Sequence, residues 1–227
     1  MANHLDLEEQ EQIDQLKHFW NTWGTLISSV LLLVFGSIAI WNGYQYWQNR
    51  QAMQAAAVLE ALNTAAQAKD EPKLEQALKD VREKYASTNQ SVLAGLQAAK
   101  AWQDQQNAAK AEEALQWVSQ SGADEGHKAI ARLRLAGLLM EKKAYDEALQ
   151  QLSFAVPAAF EGIVADRQGD IRMLQEKPEQ ALEQYRKAYD KLENNPEYRR
   201  LVEFKLNALG VQPAKASVAT TGQGAAG

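Results

Sequence analysis

The sequence predicts an all-α protein: a single N-terminal transmembrane helix followed by a solenoid of short helical hairpins. Three observations carry that prediction. Residues 24–40 read GTLISSVLLLVFGSIAI, an apolar run without a charge. The chain beyond it is rich in Ala, Leu, Glu, Gln and Lys, all strong helix formers, with apolar residues at helical rather than strand spacing. Small residues in that body also return at a fixed interval, the mark of a repeat architecture.

The tail, residues 1–23, places Ile13, Leu16, Trp20 and Trp23 on one helical face with Phe19 beside them, while Glu9, Glu11, Asp14 and Gln15 take the rest. This is the pattern of an amphipathic helix able to lie at a membrane interface, or of a solvated lead-in. The tail holds one base (Lys17) against five acids (Asp6, Glu8, Glu9, Glu11 and Asp14). Anionic lipid would repel that face, and a basic protein surface would not. A cleaved signal peptide begins with positive charge, so the segment is expected to stay as an uncleaved anchor, although Ser37-Ile38-Ala39 offers small residues for a peptidase.

The span, residues 24–44, is about 31 Å long at the helical rise, close to the ~30 Å hydrocarbon core of a bilayer. Phe19, Trp20 and Trp23 precede it, and Trp41, Tyr44, Tyr46 and Trp47 follow, where aromatic rings favour the headgroup level. Lys17 and Arg50 are the bases nearest its two ends, one on each side, so the positive-inside count leaves orientation open. Thr22, Thr25, Ser29, Gly36, Ala39 and Gly43 recur at helical steps with Leu32 as the large residue among them. Ser29, Gly36, Ala39 and Gly43 form a candidate contact face for another transmembrane helix, since helices in lipid associate by close packing of small residues. Small residues are also common in such helices generally, and the sequence does not separate the two readings.

Residues 45–209 form the helical body. Helices are predicted over 46–68 (continuous with the span), 73–85, 90–105, 109–119, 125–142, 145–155, 160–175, 178–194 and 196–209. Lys69-Asp70-Glu71-Pro72 marks the first turn, and Pro178 and Pro196 suit a first helical turn, where the missing N–H costs nothing. Residues 210–227 carry too little apolar content to fold and are expected to be disordered.

Ala136, Ala148 and Ala155 correspond to Gly169, Ala181 and Ala188 at a step of 33, and Ala114 precedes Ala148 by 34. These are the small-residue positions of a tetratricopeptide-like hairpin, where two helices cross too closely for a large side chain. Leu135, Leu139, Tyr145 and Leu152 supply packing, with Tyr185 matching Leu152. The pairs over 51–85 and 90–119 follow the pattern loosely, giving three to four hairpins, and Tyr198, Leu201, Val202 and Leu209 of a closing helix are expected to cover the last core. By repeat phase the inner face is lined by Ile130, Leu133, Gly137 and Met140, then by Ile163, Asp166, Asp170 and Met173. That groove either suits extended or helical peptide segments, with adaptable methionines and acids at its rim, or is filled by the closing helix. Arg134 and Asp170, at equivalent heights on neighbouring helices, are expected to pair as a structural salt bridge.

Composition narrows the function. Without the tail the body holds 23 bases and 24 acids, so no basic stripe exists to grip nucleic acid. The chain has no cysteine, hence no disulfide, thiolate metal site or cysteine nucleophile. Its histidines, His4, His18 and His127, are too scattered to form a metal cluster. No Ser/His/Asp set or phosphate-cradling glycine loop appears. The expectation is a protein that is not an enzyme and needs no cofactor.

Several stretches are similar to the YfgM family, bacterial inner-membrane proteins with a tetratricopeptide-like periplasmic domain. In the tail these are Glu11-Gln12, Leu16-Lys17, Phe19-Trp20 and Gly24, and past the span Trp41-Asn42-Gly43-Tyr44-Gln45-Tyr46-Trp47-Gln48. In the body, Arg132-Leu133-Arg134-Leu135-Ala136, Tyr145-Asp146-Glu147-Ala148-Leu149 and Arg167-Gln168-Gly169-Asp170-Ile171 resemble the family's repeat motifs, the likeness covering residues 8 to about 209. Pro178 departs from the usual second unit. The resemblance implies an accessory of the SecYEG translocon. It would act as chaperone or adaptor with the periplasmic chaperone PpiD on unfolded or translocating polypeptides. It also implies a cytoplasmic tail, a periplasmic body, and contact with membrane lipid. A structural scaffold of an inner-membrane complex, without client binding, is the alternative.

Overall fold

The computed structural model describes residues 7–121 and 124–212, which contain nine helices and, among those residues, no strand. They are α1 (Leu7–Gln67), α2 (Glu71–Lys84), α3 (Asn89–Asp104), α4 (Ala108–Gln120), α5 (Glu125–Glu141), α6 (Tyr145–Gln151), α7 (Ala158–Leu174), α8 (Pro178–Lys191) and α9 (Pro196–Ala208). The expectations for residues 1–6, for the side chains of Glu8 and Glu9, and for residues 213–227 lie outside the described residues. The chain divides into two compact units, the first ending at Gln54 and the second starting at Ala55.

In the first unit, α1 keeps its large apolar side chains on the outside. Leu32 is 76 % exposed and Ile40 75 %, with Leu33 and Phe35 close behind. A core helix of a water-soluble domain would bury them, whereas a helix long and apolar enough to cross a membrane presents them to lipid. Two hydroxyls in this stretch are satisfied within the helix. Ser29 Oγ donates to the Thr25 carbonyl (2.8 Å) and Ser37 Oγ to that of Leu33 (2.7 Å), so neither presents an unpaired polar group. Tyr44 and Trp47 stack at 6.2 Å just beyond it.

In the second unit, one turn recurs. Lys69, Gln106, Lys143 and Glu176 all have φ between 53° and 61°, the left-handed region. The N–H of the residue after each returns to a carbonyl five positions back: Asp70 to Ala65, Asn107 to Trp102, Ala144 to Leu139 and Lys177 to Arg172, at 2.8–2.9 Å. This is a helix stop that satisfies orphan carbonyls, built four times without glycine. Gly210 (φ 80°) ends α9 likewise, with Val211 N–H on the Leu206 carbonyl. Asp70 and Asn107 also cap the helix that follows, each side chain accepting from a backbone N–H three residues on.

These turns define four hairpins (the end of α1 with α2, α3 with α4, α5 with α6, α7 with α8), closed by α9. They also reset the register. The first two turn-to-turn intervals are 37 residues (69 to 106, 106 to 143), so Ala111, not Ala114, is the equivalent of Ala148. Counted from the turn, the same three core positions hold Leu62, Leu74 and Val81 in the first hairpin, and Ala99, Ala111 and Val118 in the second. The third has Ala136, Ala148 and Ala155, and the fourth Gly169, Ala181 and Ala188. All are buried except Ala155. Helix α6, expected to run to 155, stops at Gln151. Ser153 Oγ takes the Gln150 carbonyl (2.8 Å), Gln168 of α7 takes that of Leu152 (2.9 Å), and Pro157 disfavours a helical residue before it. The starts of α5, α6, α8 and α9 fall where expected, and the remaining bounds from the end of α1 onward differ from the expected ones by one to three residues.

Two apolar clusters result. The larger runs from Leu62 through Leu74, Val92, Leu115 and Leu135 to Ile171, and the smaller joins Ala165, Ala181, Tyr185, Ala188, Val202 and Leu206. Tyr198 and Leu209 pack on the smaller cluster, as does fully buried Val202. Leu201, expected to cover that core, is 48 % exposed, and Leu206 takes the place instead because α9 turns positions 198, 202, 206 and 209 inward.

Candidate functional site

The residues predicted to line an inner groove fall into two environments. Ile130, Leu133 and Met140 of α5 are half-buried against the larger cluster, and a Cβ on Gly137 would meet nothing, so this part of the face is open. On α7, Ile163 packs on the smaller cluster and Met173 is exposed.

Asp166 and Asp170 are not free rim acids. Asp166 is 1 % exposed. Lys205 of α9 donates to both its carboxylate oxygens (2.7 and 2.9 Å) and to Asp170 Oδ1 (2.6 Å). The Tyr198 hydroxyl donates to Asp166 Oδ2 (2.8 Å) and that of Tyr185 to Asp170 Oδ1 (2.9 Å). Lys205 also lies 5.3 Å from the Tyr185 ring centre. A lone carboxylate at that depth would be costly, and here it is matched by an ammonium and a phenol. Burial, then the nearby carboxylates, pushes both tyrosine hydroxyls well above the ordinary phenol range. The cluster therefore fastens α9 to α7. Lys205, Tyr185 and Tyr198 were not singled out in the sequence as partners for these acids. The available signal was two carboxylates one turn apart on a helix face otherwise turned inward.

Arg134 does not pair with Asp170. Its guanidinium donates to the Leu96 carbonyl of α3 (3.3 Å), while Asp170 is occupied by Lys205 and Tyr185. A carbonyl with a spare lone pair lies within Arg134's reach on one side and a nearer ammonium claims the acid on the other. Among the small residues, Ala136, Ala148 and Ala181 are fully buried, and a Cβ on Gly169 would run into the Tyr185 ring. Gly162, two turns earlier on the same face, would meet Leu192 Cγ at 2.6 Å. Helices α7 and α8 form the most extensive helix–helix contact in the chain.

On α1, Ser29, Ala39 and Gly43 are exposed and Gly36 half-exposed, and Cβ atoms on Gly36 and Gly43 would meet nothing. Among the described residues, no group of three His, Cys, Asp or Glu is arranged to hold a metal ion.

A family model described as a tetratricopeptide repeat-like domain matches residues 17–211. The chain is 34 % identical to an ancillary SecYEG translocon subunit of Neisseria gonorrhoeae, over 92 % of this chain and 100 % of that protein. It is 27 % identical to the subunit of the same name from Escherichia coli, over 89 % and 97 % of the two chains. With that of Haemophilus influenzae it shares 28 % identity over 74 % and 81 %.

Proposed function

This chain belongs to the tetratricopeptide repeat-like family of ancillary SecYEG translocon subunits, and from that premise we propose that it serves the same translocon, anchored by residues 24–44, with its tail (1–23) cytoplasmic and its solenoid (45–209) periplasmic. The single observation carrying this reading is the joining, in one chain alignable over nearly its whole length to such subunits, of one lipid-suited helix to a helical-repeat body. The role we infer is that of a non-catalytic chaperone or adaptor, working with PpiD on polypeptides as they leave the channel. A tethered body raises the effective concentration of its binding face at the exit site, so weak affinity suffices.

The open part of the inner face supports client contact: Ile130, Leu133, Gly137 and Met140, with Met173 exposed nearby in sequence phase. Ser29, Gly36, Ala39 and Gly43, unobstructed on α1, suit a docking face for a translocon helix. The scaffold reading draws on one observation, that Lys205 of α9 already occupies buried Asp166 and half-buried Asp170. Photocrosslinkers at 130 and 173 in the full-length membrane-embedded protein separate the two. Capture of translocating chains or of PpiD supports the adaptor. Capture of neither, together with loss of translocon co-purification in a Gly36→Leu/Gly43→Leu variant, supports the scaffold.

A further inference from the structure

Of the glycines inside the hairpin helices, Gly95, Gly162 and Gly169 have an internal reason to lack a side chain. A Cβ on them would run into Val118 and Trp117, into Leu192, and into Tyr185. Gly137, in the middle of α5, has no such reason, since a Cβ there would meet nothing. Glycine weakens a helix interior, so its use beneath open space is unexplained by the packing of this chain. The close approach of a backbone from outside does explain it.

The groups around Gly137 are basic. Counted from the left-handed turns, Arg134 stands nine residues before Lys143 and Arg167 nine before Glu176, equivalent heights on α5 and α7, which pack on each other. Exposed Lys100 of α3 stands six residues before Gln106, level with Gly137, six before Lys143. Arg134 donates one N–H to the Leu96 carbonyl, and among the described residues Lys100, Arg134 and Arg167 form no ion pair. The acids nearby do not offset them. Asp166 and Asp170 are held by Lys205, Tyr198 and Tyr185. Asp104 and Glu141 are exposed, but each stands two residues before its turn, about 10 Å along the helix from the arginine level. Glu60 takes the arginine's place on α1, which confines the basic stretch to α3, α5 and α7. One helical turn to the other side of the arginines lie apolar residues at one height: Leu93, 41 % exposed, and half-buried Ile130 and Ile163, each thirteen residues before its turn. A ligand that matches this face brings carboxylates to the arginines, whose planar forks take them on two N–H groups, and apolar side chains beside them.

We propose that the inner face of α3, α5 and α7 selects acidic-apolar polypeptide segments, laying their backbone over Gly137 and pairing their Asp or Glu side chains with Arg134 and Arg167, with Lys100 alongside. This rests on the reading of the groove as a polypeptide-contact face and names the class of segment that face prefers.

The test uses the full chain in phosphatidylcholine nanodiscs. The probes are coumarin-labelled Ser-Leu-Glu-Leu-Glu-Leu-Ser-amide and versions with Gln or Lys in place of both Glu, read by fluorescence anisotropy. The Glu peptide is expected to bind about tenfold more tightly than the Gln peptide, the Lys peptide more weakly than either, and the preference to shrink as salt rises. Arg134→Gln/Arg167→Gln should bring the Glu and Gln peptides to equal affinity with the thermal melt close to that of the parent. Gly137→Leu should weaken both peptides about tenfold while raising the melting temperature, a split that a purely structural glycine would not produce. Equal binding of the Glu and Gln peptides, a preference that survives the double arginine variant, or undiminished binding to Gly137→Leu overturns this proposal and leaves polypeptide contact at the groove standing. Binding of none of the three peptides overturns both.

Discussion

The first and fourth hairpins meet at identical turns yet fill the space between their helices in opposite ways. At the three equivalent positions the first carries Leu62, Leu74 and Val81, and the fourth Gly169, Ala181 and Ala188, all buried. Large side chains hold the first pair of helices apart and make the interface themselves. In the fourth the backbones approach closely, and the bulk comes from elsewhere: the Tyr185 ring laid on Gly169, and Leu192 against Gly162. The fourth is then tied to α9 by a charged cluster with no counterpart among the first hairpin's core residues. One repeat can be stabilised by apolar volume or by close approach plus a polar clasp, and each choice exposes it to a different kind of damage.

The largest expected effect falls on the clasp. Lys205→Ala leaves Asp166 buried without its cation and should cost about 3–5 kcal/mol in chemical denaturation. Lys205→Met, paired with Asp166→Leu and Asp170→Asn, should recover much of that loss, and failure to recover any would show that the cluster does more than fasten α9. Next, Leu62→Ala should cost about 2–4 kcal/mol by opening a cavity in the first hairpin. Gly169→Ala should follow at about 1–3 kcal/mol, since its methyl has the Tyr185 ring in its way. A neutral Gly169→Ala would erase the contrast drawn between the hairpins.

Smaller still, Lys69→Gly and Glu176→Gly should each stabilise the chain by about 0.5 kcal/mol, relieving left-handed strain at some cost in unfolded-state entropy. Equal gains at both ends would establish the turns as one device. The last effect shows only at alkaline pH. Tyr185 and Tyr198 have raised folded-state pKa values, so their contribution is complete below the ordinary tyrosine pKa of about 10. It is lost as pH climbs further, because the unfolded chain releases those protons first. Thermal melts from pH 8 to 11 should fall more steeply for the parent chain than for a Tyr185→Phe/Tyr198→Phe variant.

The membrane-suited helix and the last two hairpins were legible because their signals are compositional: an uncharged apolar run, and Ala136, Ala148, Gly169 and Ala181 in register. The first two hairpins were blurred for a physical reason. The first fills its core positions with Leu62, Leu74 and Val81 in place of small residues, and the second, with Ala99, Ala111 and Val118, stands 37 rather than 33 residues from its neighbours. The 37-residue intervals consequently went unread, and Ala114 stood in for Ala111. Ala155 kept the right spacing but lost its helix to Ser153 and Gln168. At the candidate groove, periodicity placed Asp166 and Asp170 correctly on α7 without identifying Lys205, since the choice of partner depends on how α9 turns.

The recurring left-handed turn has a consequence for how such a chain can change length. Each hairpin pivots at its centre on the same backbone junction, so cutting after Gln106 and splicing to Ala144 would remove one whole repeat and leave the junction chemistry as it was. Duplication at the same points would insert one. The seams of this protein are standardised while the cloth between them varies, and tailoring by whole panels is open to it without any new corner having to be invented.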